Sequence, residues 1–203
     1  MTPDVSDRVD AVVIGASAGG VDALLQILPA FGPATRQSIF VVIHIPRERP
    51  SLLAEIFANR CQIPVREAED KEPIEPGTIY VAPPDYHLLI DVSADSPRRP
   101  SIALAADGLV HFSRPSVDVL FESAAETYKE RLLGIILTGA NADGAAGLAS
   151  IARHGGVTVV QQPETAHAPL MVESALKKGP VDFVLSLSEI ARVCDGLSKD
   201  ARS

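Results

Sequence analysis

Three side chains in this sequence could together carry acyl transfer: the hydroxyl of Ser17, the imidazole of His44 and the carboxylate of Asp143. A serine hydroxyl is a poor nucleophile until a base takes its proton. Histidine titrates near neutral pH, so it can take that proton and later hand it to a leaving group, while an aspartate fixes the imidazole tautomer and stabilises the imidazolium. Ser17 stands in Gly15-Ala16-Ser17-Ala18-Gly19-Gly20, a G-x-S-x-G string. Small residues on a strand-to-helix turn let a sharply turned serine approach a substrate. The helix expected after the turn offers unpaired N–H groups and a positive dipole end to a developing oxyanion, with the Ala18 amide as the first donor.

Each residue also has a plainer reading. The glycine-rich turn could cradle a phosphate, or Ser17 could simply cap a helix. His44 could be a core histidine bonded to backbone. Asp143, just before Gly144 and a helical pattern, could be an N-cap. The other histidines say less. His87 and His111 fall in segments expected as hairpins, on exposed faces. His154 precedes Gly155-Gly156 and reads as a cation at a helix C-terminus. His167 lies in a loop (ETAHAP) near the expected site, with no role assigned. Asp85 and Asp107 read as turn residues. No His, Cys, Asp or Glu spacing matches a metal motif, and Ser17 takes the place of the second glycine of G-x-G-x-x-G, so neither a metal nor a nucleotide cofactor is expected. Cys61 and Cys194 match no redox motif and read as reduced, mostly buried thiols.

The elements that must position the three residues follow from apolar patterning. Residues 9–14 (VDAVVI) form a nearly continuous apolar run ending at Gly15, as a strand buried on both faces does. Val21, Leu24, Leu25 and Leu28 then line one helix face. The alternation recurs: strands over 39–43, 132–137, 157–160 and 183–185, and helices marked by Leu52 to Phe57, Leu120 to Tyr128, 145–153 and 171–177. Alternating strands and helices imply an α/β fold with a doubly wound, mainly parallel sheet and helices on both faces. Residues 78–82, 87–92, 101–105 and 109–112 read instead as short strands in an antiparallel hairpin extension, with turns at Pro83-Pro84-Asp85 and Asp107-Gly108. Ser17, His44 and Asp143 all follow expected strands, where open α/β sheets bind ligands. That shared placement is harder to explain by three separate plain readings, and it sets acyl transfer level with them.

The chain of 203 residues suits a single domain over 1–203, with flexible termini at 1–8 and 198–203 and an exposed loop at 95–100. Its net charge of −8 argues against nucleic acid and anionic membrane as partners. The polar, acidic start is unlike a signal peptide, and no run reaches the roughly 20 apolar residues of a membrane span, so a cytoplasmic location is expected.

At these residues the sequence closely resembles the catalytic domain of the CheB family of chemotaxis protein-glutamate methylesterases. The matching segments are VVIGASAGGVDAL at 12–24, VVIHIP at 41–46, CQIPVREAEDKEPIEPGTIYVAPPDYHL at 61–88, FSRPSVDVLFESAA at 112–125 and GIILTGANADGAAGL at 134–148. The resemblance puts the family's nucleophile on Ser17, its histidine on His44 and its aspartate on Asp143. It implies hydrolysis of glutamate γ-methyl esters on cytoplasmic chemoreceptor helices, and deamidation of some glutamines. Three features depart from the family pattern. Chemotaxis members usually carry an N-terminal receiver domain, but the first strand here begins near Val9, which implies an enzyme that is ungated or controlled by a separate protein; a separate regulator or a methyltransferase is an expected partner. The family's GMGNDG loop reads Gly139-Ala140-Asn141-Ala142-Asp143-Gly144. A Met-Pro pair typical near the site is replaced by Leu170-Met171-Val172.

Overall fold

The structure is a computed structural model that describes residues 8–45, 51–92 and 99–198. The termini expected to be flexible and the loop expected over 95–100 fall largely outside these residues. Strand β1 (Ala11–Ala16) is buried throughout and ends in the glycine-rich turn, which opens helix α1 (Gly20–Ile27). Strand β2 (Ser38–Ile43), equally buried, is followed by helix α2 (Leu53–Ala58), strand β3 (Val65–Glu67) and strand β4 (Ile79–Val81). Strands β5 (His87–Asp91) and β6 (Ser101–Ala105) pair antiparallel. Helix α3 (Val117–Tyr128) is capped by Ser116, whose hydroxyl accepts from the Val119 amide. Strand β7 (Leu132–Ile136), helix α4 (Ala145–Arg153), strand β8 (Val157–Gln161), helix α5 (Leu170–Lys178), strand β9 (Phe183–Leu185) and helix α6 (Leu187–Gly196) complete the chain.

Seven strands form one sheet in the order β3-β4-β2-β1-β7-β8-β9, every pair parallel. The period of two along β1 shows how both faces are filled. Val12, Ile14 and Ala16 join a core with α1, α2 and α6 through Leu24, Phe57 and Ile190. Ala11 and Val13 join a second core with α3, α4, α5 and the β5–β6 hairpin through Phe121, Leu148, Met171 and Leu88. This is the doubly wound α/β architecture expected from the alternating pattern. After β1 the chain winds outward on one side through β2 and β4, and it later returns to the other side of β1 as β7. The carboxyl ends of β1 and β7 therefore flank the switch point, where such sheets bind ligands. Among the described residues no helix is long and apolar enough to cross a membrane.

The middle of the chain differs from expectation in three ways. Residues 78–82 are not part of a hairpin, because β4 enters the main sheet parallel to β2 and β3. The prolines at 83 and 84 carry the chain away to the small sheet instead of turning it back. Residues 109–112 form no strand: only an isolated bridge joins Val110 to Ser113, and His111 and Phe112 have φ of 48° and 62°, outside strand geometry. Strand β3 and helix α6 have no counterpart in the sequence reading. β3 is three partly exposed residues at the sheet edge, with no apolar run to announce it. α6 carries a Ser186–Glu189 capping box and a buried stripe of Ile190, Val193 and Cys194.

Helices α3 and α4 meet closely at Gly147, where an added Cβ would lie 2.5 Å from Phe121 Cβ and 3.1 Å from Asp118 Cα. The Gly147 amide also donates to Asp118 Oδ1 at 2.7 Å. Gly147→Ala is expected to destabilise the protein by about 1–3 kcal/mol through overpacking, despite alanine's better helix propensity. A lower urea midpoint with an unchanged m-value checks this.

Candidate active site

The glycine-rich turn is held from the β7 side. The Ser17 amide donates to Thr138 O at 2.9 Å, and the Gly20 amide to Ser17 O at 2.7 Å. Gly19 takes φ of 78°, a left-handed conformation that favours glycine, and an added Cβ would stand 2.6 Å from His167 Cβ. Gly139 lets the loop after β7 close on the turn, since a Cβ there would lie 2.9 Å from Ser17 Cβ and 2.7 Å from Met171 Sδ. Ser17 makes no side-chain cap for α1, which disposes of the helix-cap reading. Its hydroxyl, and the amides of Ala18 and Gly19, have no hydrogen-bond partner among the described residues.

His44 leaves the end of β2, its amide donating to Ala16 O at 3.2 Å. Its Nε2 lies 2.8 Å from Asp143 Oδ2. Its Nδ1 lies 3.1 Å from Asn141 Nδ2. A carboxylate can only accept, so Nε2 carries the proton donated to Asp143, and Nδ1 is left as an acceptor facing Asn141. The imidazole is mostly covered, with 12% of its side chain exposed.

Asp143 is fully buried at the N-terminus of α3. Besides His44, its oxygens accept from the Val117 amide at 2.7 Å, the Asp118 amide at 3.0 Å and the Ser116 hydroxyl at 2.8 Å. Burial pushes its carboxyl up, but the bonds from His44, the Asp118 and Val117 amides and Ser116 outweigh burial and hold it below its ordinary value. Asp143 thus sits at a helix N-terminus, but that of α3 and not of the helix that follows it, which begins after Gly144 with no side-chain cap.

The structure therefore joins His44 to Asp143 and sets Ser17 on the neighbouring turn, without a bond between Ser17 and His44. It also recruits residues that the sequence reading passed over. Asn141 bridges the pair, since its Oδ1 accepts from the Asp143 amide at 3.2 Å. Thr138 Oγ1 donates to Ala18 O and accepts from the Ala168 amide, both at 2.9 Å, so it ties the serine turn to the segment before α5. His87 is not on an exposed face. It is buried with 2% exposure, its Nδ1 accepting from the Ser116 amide at 3.2 Å and its Nε2 lying 3.1 Å from Gly108 O. Ser116, between a proline and an apolar helical pattern, was legible as a cap; Asn141 had no local signal.

The remaining candidates fall outside this network. His111 is half exposed, with its Nε2 3.3 Å from Asp118 Oδ2. His154 ends α4 by bonding backbone at Ser150, and His167 lies exposed across Gly19. The fold does bring His111, Asp118 and Asp143 together, with one potential ligand atom of each within 4.8 Å of the others. Asp143, however, already accepts two hydrogen bonds on each oxygen, which uses its lone pairs. That leaves two ligands, too few for a zinc centre. Burial pushes the Cys61 thiol up to about 11 and that of Cys194 up as well, so neither is an activated nucleophile.

The CheB methylesterase family model matches residues 12–194. A relative from Leptospira interrogans is 46% identical over 184 residues, which cover 91% of this chain and 92% of that one. Relatives from Syntrophus aciditrophicus and Pyrococcus horikoshii, both named protein-glutamate methylesterase/protein-glutamine glutaminase, are 38% and 35% identical over 188 residues; the chain spans 53% and 50% of their lengths. The crystal structure of the Thermotoga maritima CheB methylesterase catalytic domain matches with a TM-score of 0.87 and 32% identity, covering 93% of this chain and 98% of that one.

The lowered carboxyl of Asp143 has a thermodynamic signature. A group whose pKa is depressed by folding stabilises the protein above its unfolded-state pKa, and that contribution fades as pH falls through the folded value. Asp143→Asn is expected to lower stability at neutral pH by about 1–3 kcal/mol or more, because an amide NH₂ would face N–H and O–H donors. It should also flatten the acid limb of stability against pH. Urea unfolding of both proteins from neutral to acidic pH checks both effects.

Proposed function

Because the chain belongs to the CheB methylesterase family, we propose that it hydrolyses glutamate γ-methyl esters on cytoplasmic chemoreceptor helices, and deamidates some glutamines there, through an acyl-enzyme on Ser17. In this reading residues 1–203 act as one cytoplasmic domain. The observation that supports it most is the 2.8 Å bond from His44 Nε2 to the buried Asp143, which leaves Nδ1 as the unprotonated nitrogen of the ring.

The chemistry runs in two halves. Ser17 Oγ attacks the side-chain carbonyl carbon while His44 Nδ1 takes the hydroxyl proton. Asp143 stays ionised and stabilises the imidazolium. The negative charge that develops on the carbonyl oxygen is met by the unpartnered amides of Ala18 and Gly19. The bond to the methoxy oxygen breaks, and His44 returns its proton so that methanol departs, or ammonia when the substrate is glutamine. Water then attacks the acyl-enzyme by the same relay, releasing a glutamate carboxylate and restoring Ser17. For this to proceed, Ser17 must replace Asn141 as the partner of Nδ1, a change that substrate binding can bring about, since catalytic hydrogen bonds are often loose without substrate.

The contact from Asn141 to Nδ1 favours a second reading, in which the histidine is sequestered and the domain is a binding module without turnover. One pair of measurements separates the two. Wild-type protein should release methanol from methylated receptor and be labelled by a fluorophosphonate. Ser17→Ala should lose both, with release down about 10³-fold or more, while keeping its melting temperature. An unlabelled wild type would favour the binding module. Hydrolysis of a simple aryl ester but of no methylated receptor would move the substrate outside chemotaxis.

A further inference from the structure

One feature at the rim of this site is not used by the proposed chemistry. Phe112 is 95% exposed. It sits at the tip of a tight turn in which Val110 and Ser113 exchange backbone bonds of 3.1 and 2.8 Å. Both central residues, His111 and Phe112, have positive φ, as in the turns that favour Asn-Gly. A bulky aromatic in that conformation is strained, and in water it gains nothing from burial. The turn is nonetheless pinned. Arg114 binds Asp85 Oδ1 through Nε and Nη2 at 3.1 and 2.7 Å, and the carbonyls of Ala106 and Asp107 through Nη1 at 2.7 and 2.6 Å. These bonds fix the backbone that carries Phe112 on the surface.

The two residues at the tip of the turn line different concavities. On one side Phe112 lines a recess of about 70 Å³ with His44, Ile45 and Pro115. On the other, His111 helps line a groove of about 330 Å³ whose apolar wall is Ala142, Ala145 and Ala146, beside Asp143 in the chain, and whose edge carries Lys177 and Lys178. Lys177 makes only an exposed contact with Glu173 at 3.5 Å, and Lys178 has no ion pair among the described residues. The chain as a whole carries −8. A cationic edge at the catalytic rim of an acidic protein is the local complement of an acidic partner that the rest of the surface repels.

We propose that Phe112 and the groove edged by Lys177 and Lys178 dock an acidic, amphipathic segment of the substrate protein: apolar side chains cover Phe112 and the alanines, and unmodified glutamates meet the lysines. This surface rests on the reading of the chain as a hydrolase of protein glutamyl esters.

The test uses a synthetic amphipathic helix carrying one glutamate γ-methyl ester among free glutamates, titrated into Ser17→Ala protein to prevent turnover. Phe112→Gly and the double variant Lys177→Glu/Lys178→Glu, each made in that background, are expected to weaken binding at least 10-fold. The loss in the lysine variant should shrink as salt is raised. Phe112→Gly should keep the melting temperature at or above its parent's, because glycine accepts the positive φ. Unchanged affinity in both variants, no binding by Ser17→Ala itself, or a large fall in melting temperature for Phe112→Gly would overturn the proposal. Binding that depends on these residues, with no methanol released by the Ser17 protein, would instead sink the esterase reading and leave the docking surface standing.

Discussion

A single buried anion organises this edge of the molecule. The Asp143 carboxylate has no exposed surface, and an uncompensated charge there would cost several kcal/mol. It is tolerated because two amides and the cap hydroxyl at the start of α3 converge on it, where the helix dipole also favours negative charge, and because His44 supplies the fourth donor. The loop after β7, the start of α3 and the end of β2 are thereby fastened at one point. None of the three can withdraw without stranding a charge. The same bonds orient the imidazole, since an Nε2 committed to Asp143 turns Nδ1 toward Asn141.

The serine turn is tied to the same β7 loop by a different means. It has no charge to anchor it, and it relies on the Thr138 bonds and on the close approach allowed at Gly139. Glycine serves again at Gly15, where a Cβ would lie 2.3 Å from Val117 Cγ1, so the first residue of α3 can rest on β1 just before Ser17. The strand that leads to Ser17 and the helix whose start binds Asp143 therefore touch directly. A switch point in a parallel sheet provides the crevice; missing side chains set how narrow it is.

Much of this was legible in the sequence because it is local. The apolar runs of β1, β2, β7 and β8 announce buried strands, and the residues just after them are the ones that meet at the sheet edge. Helix α6 was also legible, with Ser186-x-x-Glu189 ahead of an apolar stripe, although only the structure drew it out. What escaped was tertiary in origin. Strand β4 is three residues long, and nothing local says that its partners are β2 and β3 and not the segment beyond the prolines. His87 leads a strand whose next residue, Leu88, is also buried, so simple alternation assigns it to the wrong face. Asn141 bears on His44 only because the loop folds back, and no spacing rule connects residues 97 positions apart.

The buried His87 makes the small β5–β6 sheet more than a flank. Its ring spans from Gly108 O to the Ser116 amide, and Ser116 in turn grips Asp143. The hairpin is thus a strut under the carboxylate, bonded to it through Ser116. A graft of the seven-stranded sheet alone, or a transplanted loop over the first strand of the hairpin, would arrive with its serine turn in place and the floor beneath its aspartate missing.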